Sequence, residues 1–174
     1  MSHCVYVRGD IFEAAAQHEY LCHQCNCLTT KSVGMAASVF LHYPWADVYS
    51  TRTAHSVPGT ILVRGNPSGN PSVVAMFAQY YPGRQNWSND NPGLRLKWFR
   101  ECLEAIAKLP NLGGGVAFPW KIGCVCGGGD WTKYQQMLED FARDSAPPNS
   151  VFIYQLPSGP PKDQPDKKRK KLFK

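Results

Sequence analysis

Six short apolar segments alternate with polar stretches along the chain, and each is bounded by Gly, Pro, Asn or other turn residues. Their length and composition predict β-strands. The segment at residues 72–78 is apolar without interruption, which is typical of a strand that is buried on both faces. The predicted strands cover residues 3–8, 19–25, 60–64, 72–78, 116–119 and 151–156.

Between these segments the apolar positions recur at helical spacing. In residues 94–109 one stripe contains Leu96, Phe99, Leu103 and Ile106, which indicates an amphipathic helix. Further helices are predicted at residues 34–43 and 131–143, with shorter helical turns at 11–17 and 46–51. Because strands and helices mostly alternate, the sequence predicts an α/β protein: a three-layer α/β/α sandwich around a central mixed sheet of about six strands.

Charge is distributed unevenly along the 174 residues. From Lys162 onward there are seven Lys or Arg against two Asp, which accounts for +5 of the formal net charge of +6. The sequence therefore predicts one nearly neutral domain at residues 1–156 and a disordered basic tail at 157–174. The run Lys167–Lys171 resembles a nuclear localisation signal and could also contact nucleic acid weakly. We expect a cytoplasmic or nuclear protein, or one found in both compartments.

No apolar run approaches the length of a membrane span, and the N-terminus lacks a signal-peptide pattern, so we expect no membrane partner. The seven cysteines are odd in number, which favours a reducing compartment. The spacing of Cys22, Cys25 and Cys27 superficially suggests zinc. However, Cys22 and Cys25 should point to opposite faces of a strand, so we predict no metal site and no cofactor.

Two polar or glycine-rich loops each connect a strand to a helix, at residues 26–34 and 123–129. In an open α/β sheet, ligands bind beyond the carboxyl ends of strands, and helix N-termini attract anions. Two such loops side by side could hold a diphosphate, although they could also be simple connectors. Neither loop has a Walker A sequence, and the first strand lacks the Gly-x-Gly-x-x-Gly fingerprint.

Five motifs together resemble a macro domain, and within that family the small ADP-ribose 1″-phosphate phosphatase branch. The resemblance covers residues 3–156. The motifs are Gly9-Asp10-Ile11-Phe12, His23-Gln-Cys-Asn-Cys27 followed by Gly34-Met-Ala36, Pro119-x-x-Ile-Gly-Cys124, Gly128-Gly-Asp-Trp131 and Val151-Phe-Ile-Tyr-Gln-Leu156.

The resemblance implies a role for each matching position. Asp10 would accept a hydrogen bond from the adenine amino group beside the backbone of Ile11, and Asn26 would face the distal ribose. Tyr154 is the expected aromatic neighbour of adenine, with Phe152 and Leu156 as alternatives. The first phosphate loop would contain Ser32, Val33, Gly34 and Met35, and the second Gly123, Cys124, Val125, Cys126, Gly127 and Gly128.

For catalysis the resemblance implies His23, with Asp90 or Asp130 as a helper. The implied activity is dephosphorylation of ADP-ribose 1″-phosphate. A non-catalytic reader of mono-ADP-ribosylated proteins, a mono-ADP-ribosyl hydrolase and a nucleic-acid-binding protein remain alternatives. Gln79 and Gly127 stand where a related hydrolase branch has a lysine and an aspartate, which argues against a lysine adduct. Lys31 and Ser32 replace glycines of many relatives, which favours the reader.

Overall fold

The computed structural model describes residues 2–157. The basic run Lys167–Lys171 and nearly all of the predicted tail lie outside the described residues. The strands are β1 Val5–Arg8, β2 Tyr20–Asn26, β3 Ile61–Asn66, β4 Gly69–Gln79, β5 Val116–Pro119 and β6 Val151–Gln155. The helices are α1 Ile11–Ala14, α2 Gly34–His42, α3 Pro92–Ile106 and α4 Trp131–Asp144.

All six strands form one sheet in the order β1-β6-β5-β2-β4-β3. Neighbouring strands are parallel except β3 and β4, which are antiparallel. The predicted mixed six-stranded sheet is therefore confirmed. The predicted loop at 65–71 is shorter than expected, because β3 and β4 continue until Asn66 pairs with Gly69. The tight connection between them suits antiparallel neighbours.

Helices cover both faces of the sheet and create two separate cores. The first core packs α3 and α4 against one face, and the second packs α1 and α2 against the other. β4 contributes to both: Val74, Met76 and Ala78 lie in the first core, whereas Val73, Ala75 and Phe77 lie in the second. This confirms the strand predicted to be buried on both faces and the three-layer architecture.

The cysteines of β2 follow the same alternation. Cys22 belongs to the first core and Cys25 to the second, so their thiols point to opposite faces as predicted. Both are completely or almost completely buried. They therefore behave as small apolar core residues. In the part of the chain that the structure describes, no helix is both long and apolar enough to cross a membrane.

Candidate functional site

One continuous cleft lies at the carboxyl ends of the parallel strands. It consists of two cavities, of about 300 and 500 Å³, which share Met35, Ser38, Pro119 and Trp120 as walls. The larger cavity, here called the β1 end, lies beside the loop that follows β1. The smaller cavity, here called the loop end, lies between residues 33–35 at the start of α2 and residues 121–127. The arrangement matches the position where open α/β sheets bind ligands.

The β1 end contains Asp10 and Ile11, as the sequence predicts. Asp10 is the N-cap of α1: its Oδ1 accepts a hydrogen bond from the backbone N–H of Phe12 at 2.8 Å. The ring of Phe12 stacks flat on His42, with centroids 3.9 Å apart. A planar aromatic group could extend this stack, and Asp10 stands beside it.

Tyr154 also lines the β1 end, together with Leu156. The Tyr154 hydroxyl forms a hydrogen bond with the ring of His18, so it points away from the cleft and leaves the ring as a wall. Burial raises the pKa of Tyr154 and lowers that of His18, so both are neutral at pH 7. Phe152 instead packs against His18, outside the cleft.

At the loop end, the start of α2 is available to a ligand. Val33, Gly34 and Met35 line the cavity, whereas Ser32 is not among the lining residues. Val33 occupies the N-cap position, and within residues 2–157 no side chain accepts a hydrogen bond from the first backbone N–H groups of α2. Its backbone N–H groups therefore carry the partial positive charge of an uncapped helix N-terminus.

The second loop faces the same cavity through Gly123, Cys124, Val125, Cys126 and Gly127. The two loops meet closely, because a Cβ added to Gly34 would lie 2.9 Å from the Cys126 Sγ. Gly127 must be glycine, since a Cβ there would lie 2.6 Å from the Gly123 carbonyl oxygen. Gly128 turns away: its carbonyl oxygen accepts a hydrogen bond from Gln85.

Asp130 follows this loop but does not line the cleft. It is exposed and caps α4, accepting from the backbone N–H of Thr132 at 3.0 Å. The N-terminus of α4 is therefore already occupied by a carboxylate and is not offered to an anion, unlike that of α2. The role of Asp130 as a catalytic helper stays a prediction.

His23 does not line the cleft either, and its catalytic role stays a prediction. It is completely buried in the second core, edge-on to Phe40, and its ring nitrogens lie 3.6 and 3.7 Å from the Cys25 Sγ. Burial lowers the pKa of His23 to about 4. The imidazole is therefore a neutral core side chain at pH 7.

The second proposed helper, Asp90, is completely buried in an ion pair with Arg95, which is itself fully buried. Arg95 donates from Nε to Oδ1 at 2.6 Å and from Nη2 to Oδ2 at 2.8 Å. The backbone N–H groups of Tyr80 and Tyr81 also donate to Oδ2. These partners hold the carboxylate away from the cleft, and the role of Asp90 as a catalytic helper stays a prediction.

Asn26 was expected to face the distal ribose, but in the structure its side chain faces the turn that follows β2. Its Oδ1 accepts from the backbone N–H groups of Leu28 and Thr29 at 3.0 and 2.9 Å, and its Nδ2 donates to the Thr29 Oγ1 at 2.9 Å. The side chain is buried and stabilises the turn that follows β2. It does not line the loop end.

Sequence reasoning missed several residues that shape the cleft. Gln24 and Gln79 form part of the loop end, and their amides are joined by a 2.8 Å hydrogen bond. Lys121 lies beside them, and among residues 2–157 it is the only charged side chain that lines the loop end. Arg95 supports the second loop from below by donating to the Gly127 carbonyl oxygen at 3.2 Å. In the sequence, the signal for Arg95 was its charge on the apolar stripe of α3, four positions before Phe99.

Cys124 of the second loop is not activated. Burial, and after it the negative charge of Asp130, raises the pKa of Cys124 to about 11. Cys27, the other cysteine weighed as a nucleophile, is fully buried and its pKa is raised to about 12, mainly by burial. Both are protonated thiols at neutral pH, which leaves them poor nucleophiles.

Comparison with known proteins agrees with this architecture. No family model matches the chain. A curated ADP-ribose 1″-phosphate phosphatase of Saccharomyces cerevisiae is 22% identical over 181 residues, covering 90% of this chain and all of that protein.

Among solved structures, the macrodomain of Mycobacterium tuberculosis DarG superposes with a TM-score of 0.68 at 20% identity, covering 91% of this chain and all of that one. The macrodomain of Thermus aquaticus DarG superposes with a TM-score of 0.61 at 19% identity, covering 87% and 97% of the two chains. The chain therefore has the macrodomain fold that its sequence motifs predict.

Proposed function

We propose that the cleft binds ADP-ribose or a derivative of it. Adenine would occupy the β1 end. The diphosphate and the distal ribose would occupy the loop end, with the diphosphate against the first turn of α2. The observation that carries this proposal is the shared cavity between the uncapped N-terminus of α2 and the glycine-rich loop 123–127. Backbone N–H groups of this kind bind phosphate oxygens without a dedicated lysine.

The electrostatics of the cleft support the same ligand. Lys121 brings a positive charge to the loop end, while the carboxylates Asp90 and Asp130 lie outside it. At the β1 end, Oδ1 of Asp10 is used by the helix cap, which leaves Oδ2 to accept from the adenine amino group. The name of the yeast relative, an ADP-ribose 1″-phosphate phosphatase, supports an ADP-ribose derivative as ligand.

Calorimetry with ADP-ribose tests this proposal through Asp10→Asn. Asparagine keeps an oxygen for the Phe12 cap but turns an NH₂ group toward the adenine amino group. We therefore expect about tenfold weaker binding with little change in melting temperature, since one ligand hydrogen bond to a charged group is lost. Asp47→Asn is the matched control, because Asp47 caps Tyr49 and Ser50 outside the cleft. No binding to wild type, or equal affinities in all three proteins, would refute the proposal.

Dephosphorylation of ADP-ribose 1″-phosphate is the reaction that we propose for this site. It is favoured by the yeast phosphatase, whose whole length aligns with this chain, and by Lys121 at the end where the terminal phosphate would lie. With His23, Asp90 and Asp130 outside the cleft, the chemistry would depend on stabilising developing negative charge with Lys121 and the loop N–H groups.

Phosphate release from ADP-ribose 1″-phosphate tests the reaction. Lys121→Met should lower turnover at least tenfold because the only cation of the loop end is lost. Lys133→Met, an exposed lysine on α4 outside the cleft, is the control and should retain wild-type turnover. If wild type binds ADP-ribose but releases no phosphate, the site is a reader and the phosphatase proposal is discarded.

A further inference from the structure

A chain of hydrogen bonds runs from the buried ion pair to the loop end of the cleft. Arg95 donates from Nη2 to the Tyr81 carbonyl oxygen at 3.3 Å, and Gln79 donates from Nε2 to the same oxygen at 3.0 Å. Gln24 then donates from Nε2 to the Gln79 Oε1 at 2.8 Å. The two glutamine amides are thus held in place from the protein interior.

The direction of this chain follows from chemistry. A backbone carbonyl can only accept, so Gln79 must turn its NH₂ group to Tyr81 and its oxygen to Gln24. Gln24 must then turn its own NH₂ group to Gln79, which leaves its Oε1 on the opposite side. The network therefore fixes, for both amides, which terminal atom is the nitrogen and which is the oxygen.

The Gln24 Oε1 is the unpaired acceptor at which this series of hydrogen bonds ends. It is buried, and among residues 2–157 no donor reaches it. It lies against the second loop, where a Cβ on Gly123 would come within 2.7 Å of it. Buried acceptors are normally satisfied, and Gln24 lines the loop end, so its unpaired oxygen calls for a donor from the ligand. A phosphate oxygen is itself an acceptor and cannot fill this role, whereas a sugar hydroxyl can.

We propose that Gln24, positioned by Gln79, accepts a hydrogen bond from a hydroxyl of the distal ribose. This inference rests on the proposed binding of ADP-ribose. It assigns to Gln24 the recognition expected of Asn26, whose side-chain atoms are occupied by Leu28 and Thr29. The amide pair would make the cleft prefer a nucleotide diphosphate that carries a distal ribose over one that lacks it.

The affinities for ADP-ribose and for ADP, measured by calorimetry, separate this inference from the proposed function. ADP lacks the distal ribose, so it reports the rest of the cleft and the integrity of the fold. Gln24→Met keeps the length of the side chain but removes the acceptor. We expect it to weaken ADP-ribose binding about tenfold and to leave ADP binding unchanged. Gln79→Met should reduce the preference for ADP-ribose by a smaller factor, because the Gln24 amide can then rotate.

Gln155→Met is the matched control, since Gln155 lines the β1 end. It should change both affinities by the same factor and leave their ratio as in wild type. An unchanged ratio in Gln24→Met, with ADP-ribose still bound by wild type, would overturn the role of Gln24 alone. If wild type binds neither nucleotide, the proposed function fails and this inference fails with it.

Discussion

His23 and Asp90 are both completely buried, yet the protein accommodates them differently. His23 is neutral in an apolar core, whereas Asp90 has a full set of donors from Arg95, Tyr80 and Tyr81. Burying a titratable group carries a cost that is met either by neutralisation or by hydrogen bonding. Neither solution leaves a group free for acid–base chemistry in the cleft.

The buried His23 predicts a specific loss of stability in acid. Its pKa is about 4 in the folded protein, against about 6.5 when unfolded, so the unfolded chain binds the extra proton first. Stability is complete above pH 6.5 and declines as the pH falls from 6.5 to 4, by up to about 3 kcal/mol. Urea unfolding of wild type and His23→Leu across this range measures the effect. The variant should show a shallower decline.

His55→Leu removes an exposed histidine and should keep the wild-type pH dependence. If His23→Leu loses stability with falling pH as steeply as wild type, the imidazole is not buried and neutral as described.

A contact with α3 helps to hold the second loop, beside the loop's own hydrogen bond from the Gly129 N–H to the Gly123 carbonyl oxygen. Arg95 donates to carbonyl oxygens of Gly127, Gly83 and Tyr81 while paired with Asp90. One guanidinium therefore connects the end of β4, the segment that follows it and the loop of the cleft. The buried ion pair thus positions the loop, because several backbone carbonyl groups share one cation.

Arg95→Met should therefore disturb both stability and binding. It leaves Asp90 as an uncompensated buried charge, for which we expect a loss of about 3–5 kcal/mol in the free energy of unfolding. ADP-ribose binding should weaken because the loop loses its support. Arg143→Met is the matched control, since Arg143 also pairs with an aspartate through two hydrogen bonds but on the exposed surface. Equal stability of the two variants would contradict the role of Arg95.

The elements could be predicted from sequence because periodicity reports burial directly. The uninterrupted apolar run at 72–78 and the stripe of residues 94–109 correspond to β4 and α3. The positions of the β2 side chains were harder to predict, because a strand buried on both faces shows no alternation that identifies the cleft side. In addition, pairing with β4 shifts register between Gln24 and Asn26. That irregularity changes which side chain lies at the cleft, and a linear motif does not show it.

The family motifs were more informative about backbone than about side chains. The segments at 33–35 and 123–127 lie on the same cavity, as two strand-to-helix loops in matching positions should. Side-chain roles depend on three-dimensional partners: Asn26 meets Thr29, and Asp90 meets Arg95. The motifs include neither Thr29 nor Arg95, so the resemblance could not supply these partners.

For the whole molecule, the charge pattern places the expected nucleotide binding and the expected polyanion binding in different parts of the chain. The cleft is formed by the described domain, whereas most of the net positive charge belongs to residues 162–174. The import signal and the weak nucleic-acid contact predicted for that segment stay predictions. If they are correct, nucleotide binding and polyanion binding should be independent properties of the chain.

Deleting residues 158–174 tests that independence. We expect unchanged affinity for ADP-ribose, because the cleft lies within residues 9–156. Binding to single-stranded RNA, measured by fluorescence anisotropy at increasing salt, should be weak and salt-dependent in the full chain and lost on deletion. A full chain and a truncated chain that bind RNA equally would show that the domain surface, not the tail, attracts nucleic acid.

The most direct test of the account is a crystal structure of the protein with ADP-ribose. We predict that the diphosphate lies between the first turn of α2 and loop 123–127, with phosphate oxygens about 3 Å from backbone nitrogens of both segments and adenine beside Asp10. A nucleotide bound at another surface, or a diphosphate that contacts neither segment, would contradict it.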